Sequence, residues 1–267
     1  MKGPKLCKVI EKRLLADGVY TLVLDAPNVA KKARPGQFIH IKVPKDKSRI
    51  LRRPISISDA DCEGGSVEII FQLVGEGTRL LSAVKAGNYL DILGPLGNGF
   101  TVSRNVSRLF LVGGGCGVAP IKFAASKFDH VQRTCFIGFK RGDDIYELPK
   151  FQKNSDRLLI ATEDGSIGHK GLVTEILEGE LKRNLPDLML ACGPVPMLKV
   201  IQQLAGQYGV SCQLSLEQRM GCGIGACMTC VCAVHGDEGD YTYKRVCRDG
   251  PVFLSWEVML DEAENGC

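Results

Sequence analysis

The chain has 267 residues, 45% of them apolar, 24% charged and 6% aromatic, with a formal net charge of +4. That balance excludes a disordered chain and leaves ample side chain for a real core, in about two domains on length alone. Twelve cysteines stand against four histidines and one tryptophan, and a chain this long is not a small secreted disulfide scaffold.

Met1-Lys2-Gly3-Pro4-Lys5 leads into Lys8, Glu11, Lys12 and Arg13 with no apolar run, so no signal peptide is read there. The longest apolar candidate, residues 109–123, is broken by four glycines and Pro120. It falls short of the ~18 uninterrupted apolar residues of a membrane span, and no membrane association is expected. The expectation is a cytoplasmic, reduced protein whose cysteines are thiols or ligands. Residues 1–60 hold fourteen Lys/Arg against five Asp/Glu, and residues 237–267 hold three against eight. The basic end lacks aromatic interleaving and any nucleic-acid motif, so no nucleic-acid partner is expected. A solvated surface and a site for a phosphate-bearing cofactor or acidic partner both fit it.

In chain order, the first elements are strands. Segments 18–24, 37–43, 54–58 and 67–73 alternate or cluster β-branched residues, and Pro35-Gly36, Gly64-Gly65 and Gly94-Pro95 mark turns. Such spacing predicts a sandwich or small barrel, interrupted by a helix near 78–84 with Thr78 as its N-cap. After Thr101 a buried-type strand at 108–112 is followed by glycines and a helix from about Pro120. Strand-like segments 134–139, 157–161 and 187–191 are interspersed with helical ones at 172–177 and 196–208, which predicts a parallel sheet. From Val210 the chain is Cys/Gly-rich and weakly periodic, and something other than hydrophobic burial is expected to hold it. The expected division is an antiparallel β-barrel over 1–101, a Rossmann-like α/β domain over 102–209 and a small Cys-rich domain over 210–267.

Cys222, Cys227 and Cys230 follow C-x4-C-x2-C, with Cys247 further on. This is the spacing of plant-type [2Fe–2S] centres. A diiron cluster needs four thiolates converging from one tight loop and close main-chain N–H donors, and Gly221, Gly223 and Gly225 permit that path. The other reading is a zinc knuckle, which usually shows paired C-x2-C units with less glycine between ligands. Cys232, two residues past Cys230, is a competing ligand in principle, but Cys247 closes the site better.

Arg52-Arg53-Pro54-Ile55-Ser56 is followed by Gly75-Glu76-Gly77-Thr78 at a helix start. An arginine and helix N-terminal amides are two ways to hold a pyrophosphate. The same residues also fit a surface arginine, a turn and a cap. Gly113, Gly115 and Gly117 follow a strand, but Val118 stands where the third glycine of G-x-G-x-x-G falls. A dinucleotide loop and a tight turn both fit. Cys192-Gly193-Pro194 ends a later strand at the C-terminal edge, where open α/β sheets bind ligands. Cys192 is thus a pocket residue or a buried small hydrophobe. If the adenosine half of a dinucleotide lies at Thr162-Glu163-Asp164-Gly165, the two carboxylates repel a 2′-phosphate and favour NAD over NADP. Asp164-Gly165 is equally natural as a turn.

Over essentially its whole length the chain resembles the ferredoxin-reductase-like flavoproteins. The likeness is carried by Arg53-Pro54-Ile55-Ser56, Gly77-Thr78, residues 113–120, Asp164-Gly165-Ser166 with Gly168 and Gly171, Cys192-Gly193-Pro194 and residues 216–232. Val246-Cys247-Arg248-Asp249-Gly250-Pro251-Val252-Phe253 is its most discriminating stretch, and it narrows the resemblance to the electron transfer subunits of class 1B dihydroorotate dehydrogenases. The resemblance implies FAD in the first domain, NAD in the second and a [2Fe–2S] cluster on Cys222, Cys227, Cys230 and Cys247 in the third. It implies that Arg53 and Ser56, with Pro54 between them, hold the flavin phosphate and ribitol side, and that Ile55 supplies an aliphatic stack. Ile70, Phe71 and Gln72 would run along the flavin, Gly77 and Thr78 would cap the pyrophosphate, and Cys192 would line the nicotinamide pocket. It further implies a partner subunit that holds FMN and oxidises dihydroorotate to orotate, in a heterotetramer of two subunits of each kind. Electrons would pass from FMN through the cluster to FAD, and hydride from FAD to NAD+, within pyrimidine biosynthesis. An NAD(P)H-dependent flavoreductase subunit serving ferredoxin, polysulfide or hydrogenase fits the same three sites. A non-enzymatic module with a structural zinc is the farther reading. The cluster domain is the expected face toward the partner, with its acidic stretch from residue 237, including Glu262 and Glu264, meeting a basic surface there.

Overall fold

The computed structural model describes residues 3–43, 50–236 and 240–260, so Glu262 and Glu264 lie outside the described residues. Its first part comprises β1 (Lys5–Ala16), β2 (Val19–Asp25), α1 (Pro27–Ala30), β3 (Phe38–Ile41), β4 (Arg53–Asp61), β5 (Ser66–Gln72), α2 (Glu76–Ser82) and β6 (Tyr89–Leu96). The six strands close into an antiparallel barrel in the order β1-β2-β5-β4-β3-β6. Alternation builds the interior, where Val9, Leu22, Leu24, Ile39, Ile41, Ile57, Val67, Ile69, Leu90 and Ile92 meet. All four residues of β3 are buried, because its outer face is covered as well. Phe38 there joins the core of the C-terminal half.

Two of these strands escaped the sequence reading. β1 hides Cys7 and Val9 among exposed charges, and β6 runs through Gly94-Pro95, which sequence marks as a turn. Thr78 is not the N-cap of α2. Gly75 is, and Thr78 stands in the first turn, where its hydroxyl accepts the Val74 and Gly75 N–H groups at 3.0 and 3.2 Å.

The second part contains β7 (Arg108–Gly114), α3 (Val118–Lys127), β8 (Gln132–Phe139), α4 (Leu148–Asn154), β9 (Arg157–Thr162), β10 (His169–Lys170), α5 (Val173–Leu181), β11 (Leu188–Cys192), α6 (Val195–Tyr208), β12 (Ser211–Ser215), β13 (Val231–His235), β14 (Tyr241–Arg245) and β15 (Val252–Leu254). A seven-stranded sheet runs β10-β9-β8-β7-β11-β12-β15, parallel except for the antiparallel edge strand β15. β13 and β14 form a separate antiparallel pair.

The expectation that the tail lacks core is corrected here. β12 pairs in parallel with β11 and carries β15 on its far side. Leu214, Leu216, Cys230, Val246, Cys247 and Phe253 share one apolar cluster with Phe110, Val112 and Met189 of the sheet. Burying each large side chain contributes roughly 1.5–3 kcal/mol, so apolar packing holds the tail after all. Its spacing is irregular because the contacts come from loops and short strands, which have no single period.

One polar network crosses from the barrel to the α/β layer. Glu68 of β5 receives Lys122 of α3, Lys150 of α4 at 2.9 Å and the Ser58 hydroxyl of β4 at 2.9 Å. Glu147, at the start of α4 with φ of 59°, binds Lys122 at 3.3 Å and Lys150 at 2.7 Å. Lys122 is 2% exposed, and only paired charges are tolerated at that depth.

Candidate functional site: a four-cysteine loop, a flavin face and a dinucleotide cleft

The loop that carries Cys222, Cys227 and Cys230 winds tightly, with positive φ at Gly223 (71°), Gly225 (83°) and Met228 (54°). Every one of the four sulfurs accepts a hydrogen bond. Cys222 Sγ takes the N–H groups of Ala226 at 3.2 Å and Ile224 at 3.5 Å. Cys227 Sγ takes the Cys222 N–H at 3.3 Å and the Thr229 hydroxyl at 3.1 Å. Cys247 Sγ takes the Gly225 N–H at 3.1 Å, and Cys230 Sγ takes the Cys247 N–H at 3.4 Å.

This donor set fits a [2Fe–2S] cluster. Four thiols are the ligand number of a diiron centre, and the N–H groups are those that stabilise its sulfur charge. Among the described residues no three His, Cys, Asp or Glu side chains gather as ligands of one ion. Bonds from the Thr229 hydroxyl and the Cys222 N–H hold the Cys227 thiol down to about 6, whereas burial pushes Cys247 up to about 12. Cys232 stands apart from this hydrogen-bond set and packs on the apolar cluster.

Sequence reasoning missed the braces of the loop. Arg245 donates from Nη1 to the Gly225 carbonyl at 2.8 Å and is itself held by Asp249 at 3.1 Å. Asn98 of the barrel side donates to the carbonyls of Arg248 and Asp249 at 3.3 and 3.0 Å. His40 of β3 lies against Gly223, where a Cβ would stand 2.3 Å from its Nδ1. A histidine between apolar residues in Phe38-Ile39-His40-Ile41 is the signal that was available.

On the barrel, Arg53 and Gly77 meet. A Cβ at Gly77 would lie 2.3 Å from Arg53 Nε, so the two motifs separated in sequence form one surface. Arg53 Nη1 is steadied by the Leu51 carbonyl at 2.9 Å. Pro54, Ile55 and Ser56 pair with His40, Ile39 and Phe38 in the β4–β3 ladder. Ile70 and Phe71 turn their side chains into cores, Ile70 toward the α/β layer and Phe71 onto Tyr20 at 5.9 Å. Of the three, only Gln72 presents its side chain outward, accepting the Cys116 thiol at 3.4 Å. Thr78 spends its hydroxyl on the turn before α2.

At the C-terminal edge of the sheet lies a cleft of about 680 Å³ whose walls include Gln72, Gly114, Gly115, Cys116, Lys140 and Glu163. Gly114 and Gly115 face it. Gly113 instead backs onto Val118, and Gly117 onto the Cys192 carbonyl, where a Cβ would come within 2.3 Å. Tyr146, unnoticed in sequence, donates its hydroxyl to the Gly115 carbonyl at 3.0 Å. Cys192 is 1% exposed and lies beneath the cleft wall, where burial pushes its thiol well up. Asp164 folds back on Ser166, accepting its N–H at 3.0 Å and its hydroxyl at 2.6 Å. Glu163 is the carboxylate of that pair that lines the cleft.

Two family models match separate parts of the chain. Residues 6–100 match the oxidoreductase FAD-binding domain, and residues 217–259 match the iron–sulfur cluster binding domain of dihydroorotate dehydrogenase B. A chain from a structure of an NADH-dependent reduced ferredoxin-NADP oxidoreductase, described for flavin-based electron bifurcation, superposes with a TM-score of 0.87 at 33% identity, covering 100% of this chain and 94% of its own. A cytochrome P450 reductase from Amycolatopsis shares the fold at a TM-score of 0.62 and 18% identity, over 78% of this chain and 68% of its own. The barrel, the parallel sheet and the cysteine loop thus define an FAD-dependent, ferredoxin-reductase-like oxidoreductase with an iron–sulfur domain.

Within that class, two relatives are named dihydroorotate dehydrogenase B (NAD(+)), electron transfer subunit. The protein from Caldanaerobacter subterraneus subsp. tengcongensis is 40% identical over 97% of this chain and 100% of its own length. The Bacillus velezensis protein is 42% identical over 92% and 95%. The chain belongs to this family of electron transfer subunits. Among the described residues no helix is long and apolar enough to cross a membrane.

Proposed function

We propose that the chain carries electrons from an FMN-holding catalytic partner, which oxidises dihydroorotate to orotate, to NAD+. The observation that carries this reading is the seating of the four-cysteine loop on the barrel, next to the strand that bears Arg53–Ser56. When bound, FAD converts between the single electrons of a cluster and the hydride that NAD+ accepts.

The chain's own residues supply the binding and alignment. Cys222, Cys227, Cys230 and Cys247 hold the cluster, with N–H donors from the loop neutralising charge on sulfur. Arg53, over Gly77, holds the flavin pyrophosphate, while Ser56 and the main chain at Ile70–Gln72 run along the ribitol and ring. Gly114 and Gly115 let the dinucleotide approach the edge of β7, and Glu163 takes the adenosine ribose. Cys192 and Gly117 shape the floor below the nicotinamide. The three units are residues 1–101, 102–209 and 210–267, with β12 and β15 completing the central sheet.

The partner meets the cluster side, where Cys227 and Met228 are exposed, in a cytoplasmic heterotetramer of two subunits of each kind. The test is co-purification from the native cell, then a dihydroorotate:NAD+ assay on the complex and on the free chain. Activity in the complex alone supports the reading, and turnover of dihydroorotate by the free chain overturns it. The full-length likeness to an NADH-dependent ferredoxin-NADP oxidoreductase chain favours a second reading, in which ferredoxin takes the place of the dihydroorotate-oxidising subunit. Co-purification of a ferredoxin-linked partner in place of the FMN subunit would select it.

A further inference from the structure

Buried polar side chains almost always find partners, and His40 departs from that rule. Its side chain is 0% exposed, and neither Nδ1 nor Nε2 has a hydrogen-bond partner among the described residues. Its place is decided by the pleat of β3. Ile39 and Ile41 fill the barrel interior, so His40 points out of the barrel. On one side it is paired through the ladder with Pro54, beside Arg53. On the other it packs on Gly223, the residue after Cys222, so closely that no Cβ fits.

The polar surroundings are main-chain groups of Arg52 and Cys222. An imidazole has at least one N–H to give. The ring N–H therefore has main-chain groups near it on both sides, one at Arg52, just ahead of the flavin strand, and one on the first residue of the ligand set.

We propose that His40 is a positioning residue for electron transfer between the two redox sites, its imidazole N–H bonding the Cys222 main chain and so setting the register of the cysteine loop on the flavin barrel. The proposal rests on the cluster and flavin assignments above. It assigns no proton transfer to His40. Its ring is a strut between the strand of Arg53–Ser56 and the loop of Cys222, and the gap at Gly223 exists to admit it.

The test uses the full chain co-expressed with its catalytic partner and loaded with FAD, iron and sulfide. His40→Leu and His40→Met keep the apolar packing and remove the donor. His40→Asn and His40→Gln retain an amide N–H near Nδ1 and Nε2, respectively. The readouts are iron and FAD content, the EPR spectrum and midpoint potential of the reduced cluster, and the rate at which NADH reduces the cluster. Loss of such an outer-shell partner typically changes affinity or rate about ten- to a hundred-fold.

The expected result is a slowing of that order in the apolar variants, an altered EPR signal, unchanged FAD content and recovery in at least one amide variant. Apolar variants indistinguishable from wild type overturn the proposal. So do apolar variants that are impaired while both amide variants are equally impaired, since packing alone then explains the site. If neither apolar variant folds, the amides decide, and failure of both to match wild type overturns it. Wild-type protein without iron and acid-labile sulfide would instead overturn the cluster assignment, a separate failure.

Discussion

Replacing Glu68 by glutamine is expected to destabilise the chain at neutral pH by about 3 kcal/mol. Burial alone pushes the Glu68 carboxyl up, but Lys122 and then Lys150 outweigh it and hold the group at about 2, against an ordinary value of 4.5. The difference of roughly 2.5 units corresponds to about 3.4 kcal/mol at pH 7. The side chain is only 10% exposed, so screening removes little of this. Breaking a buried pair from one side costs about 3–5 kcal/mol by mutational precedent, which agrees.

The sign follows from the depressed pKa. The contribution is fully present above the unfolded value of 4.5 and is lost as pH falls toward 2, leaving roughly 1.4 kcal/mol at pH 3. Thermal melts followed by circular dichroism supply the assay. For a chain of this size about 3 kcal/mol lowers Tm by roughly 6–12 °C. The gap between wild type and Glu68→Gln should narrow by more than half between pH 7 and pH 3. A gap below about 2 °C at pH 7, or one that does not narrow in acid, would refute the claim that the barrel and the α/β layer are joined by a paired buried charge.

Other outcomes follow from single contacts. Gly223→Ala places a methyl 2.3 Å from His40 Nδ1 at a φ of +71°, so iron and acid-labile sulfide per chain should fall below about half of wild type. Arg53→Ala and Gly77→Ala should each weaken FAD binding about ten-fold, a loss of about 1.4 kcal/mol. Their double variant should lose much less than the sum, because the added methyl strikes the Arg53 side chain itself. Fluorescence titration with FAD reads both. Glu163→Gln should raise the ratio of kcat/KM for NADPH over NADH about ten-fold, whereas Asp164→Asn should leave it near wild type, since Ser166 already occupies that carboxylate. Equal effects of the two would show that both face the ribose.

How far residues alone reveal this protein depends on whether the information is local. The C-x4-C-x2-C loop with its glycines was legible because ligand spacing and backbone freedom are local properties. The parallel sheet was legible because strand and helix periods alternate along the chain. Thr78 was misplaced by three positions as a cap, since Gly75 carries no side chain to advertise it. Glu163 and Asp164 read alike in sequence, and only the turn at Ser166 separated them.

Sequence by itself marked the cysteine spacing, the change from strand runs to alternating strands and helices, and glycine positions where backbone must come close. Tertiary structure decided what those glycines approach. It set Gly77 under Arg53 and Gly223 against His40. It folded the tail into the central sheet through β12 and β15 and joined Glu68 to Lys122 across 54 residues. These are long-range juxtapositions, fixed by barrel closure and sheet order, and a one-dimensional pattern records the need for contact without recording the partner.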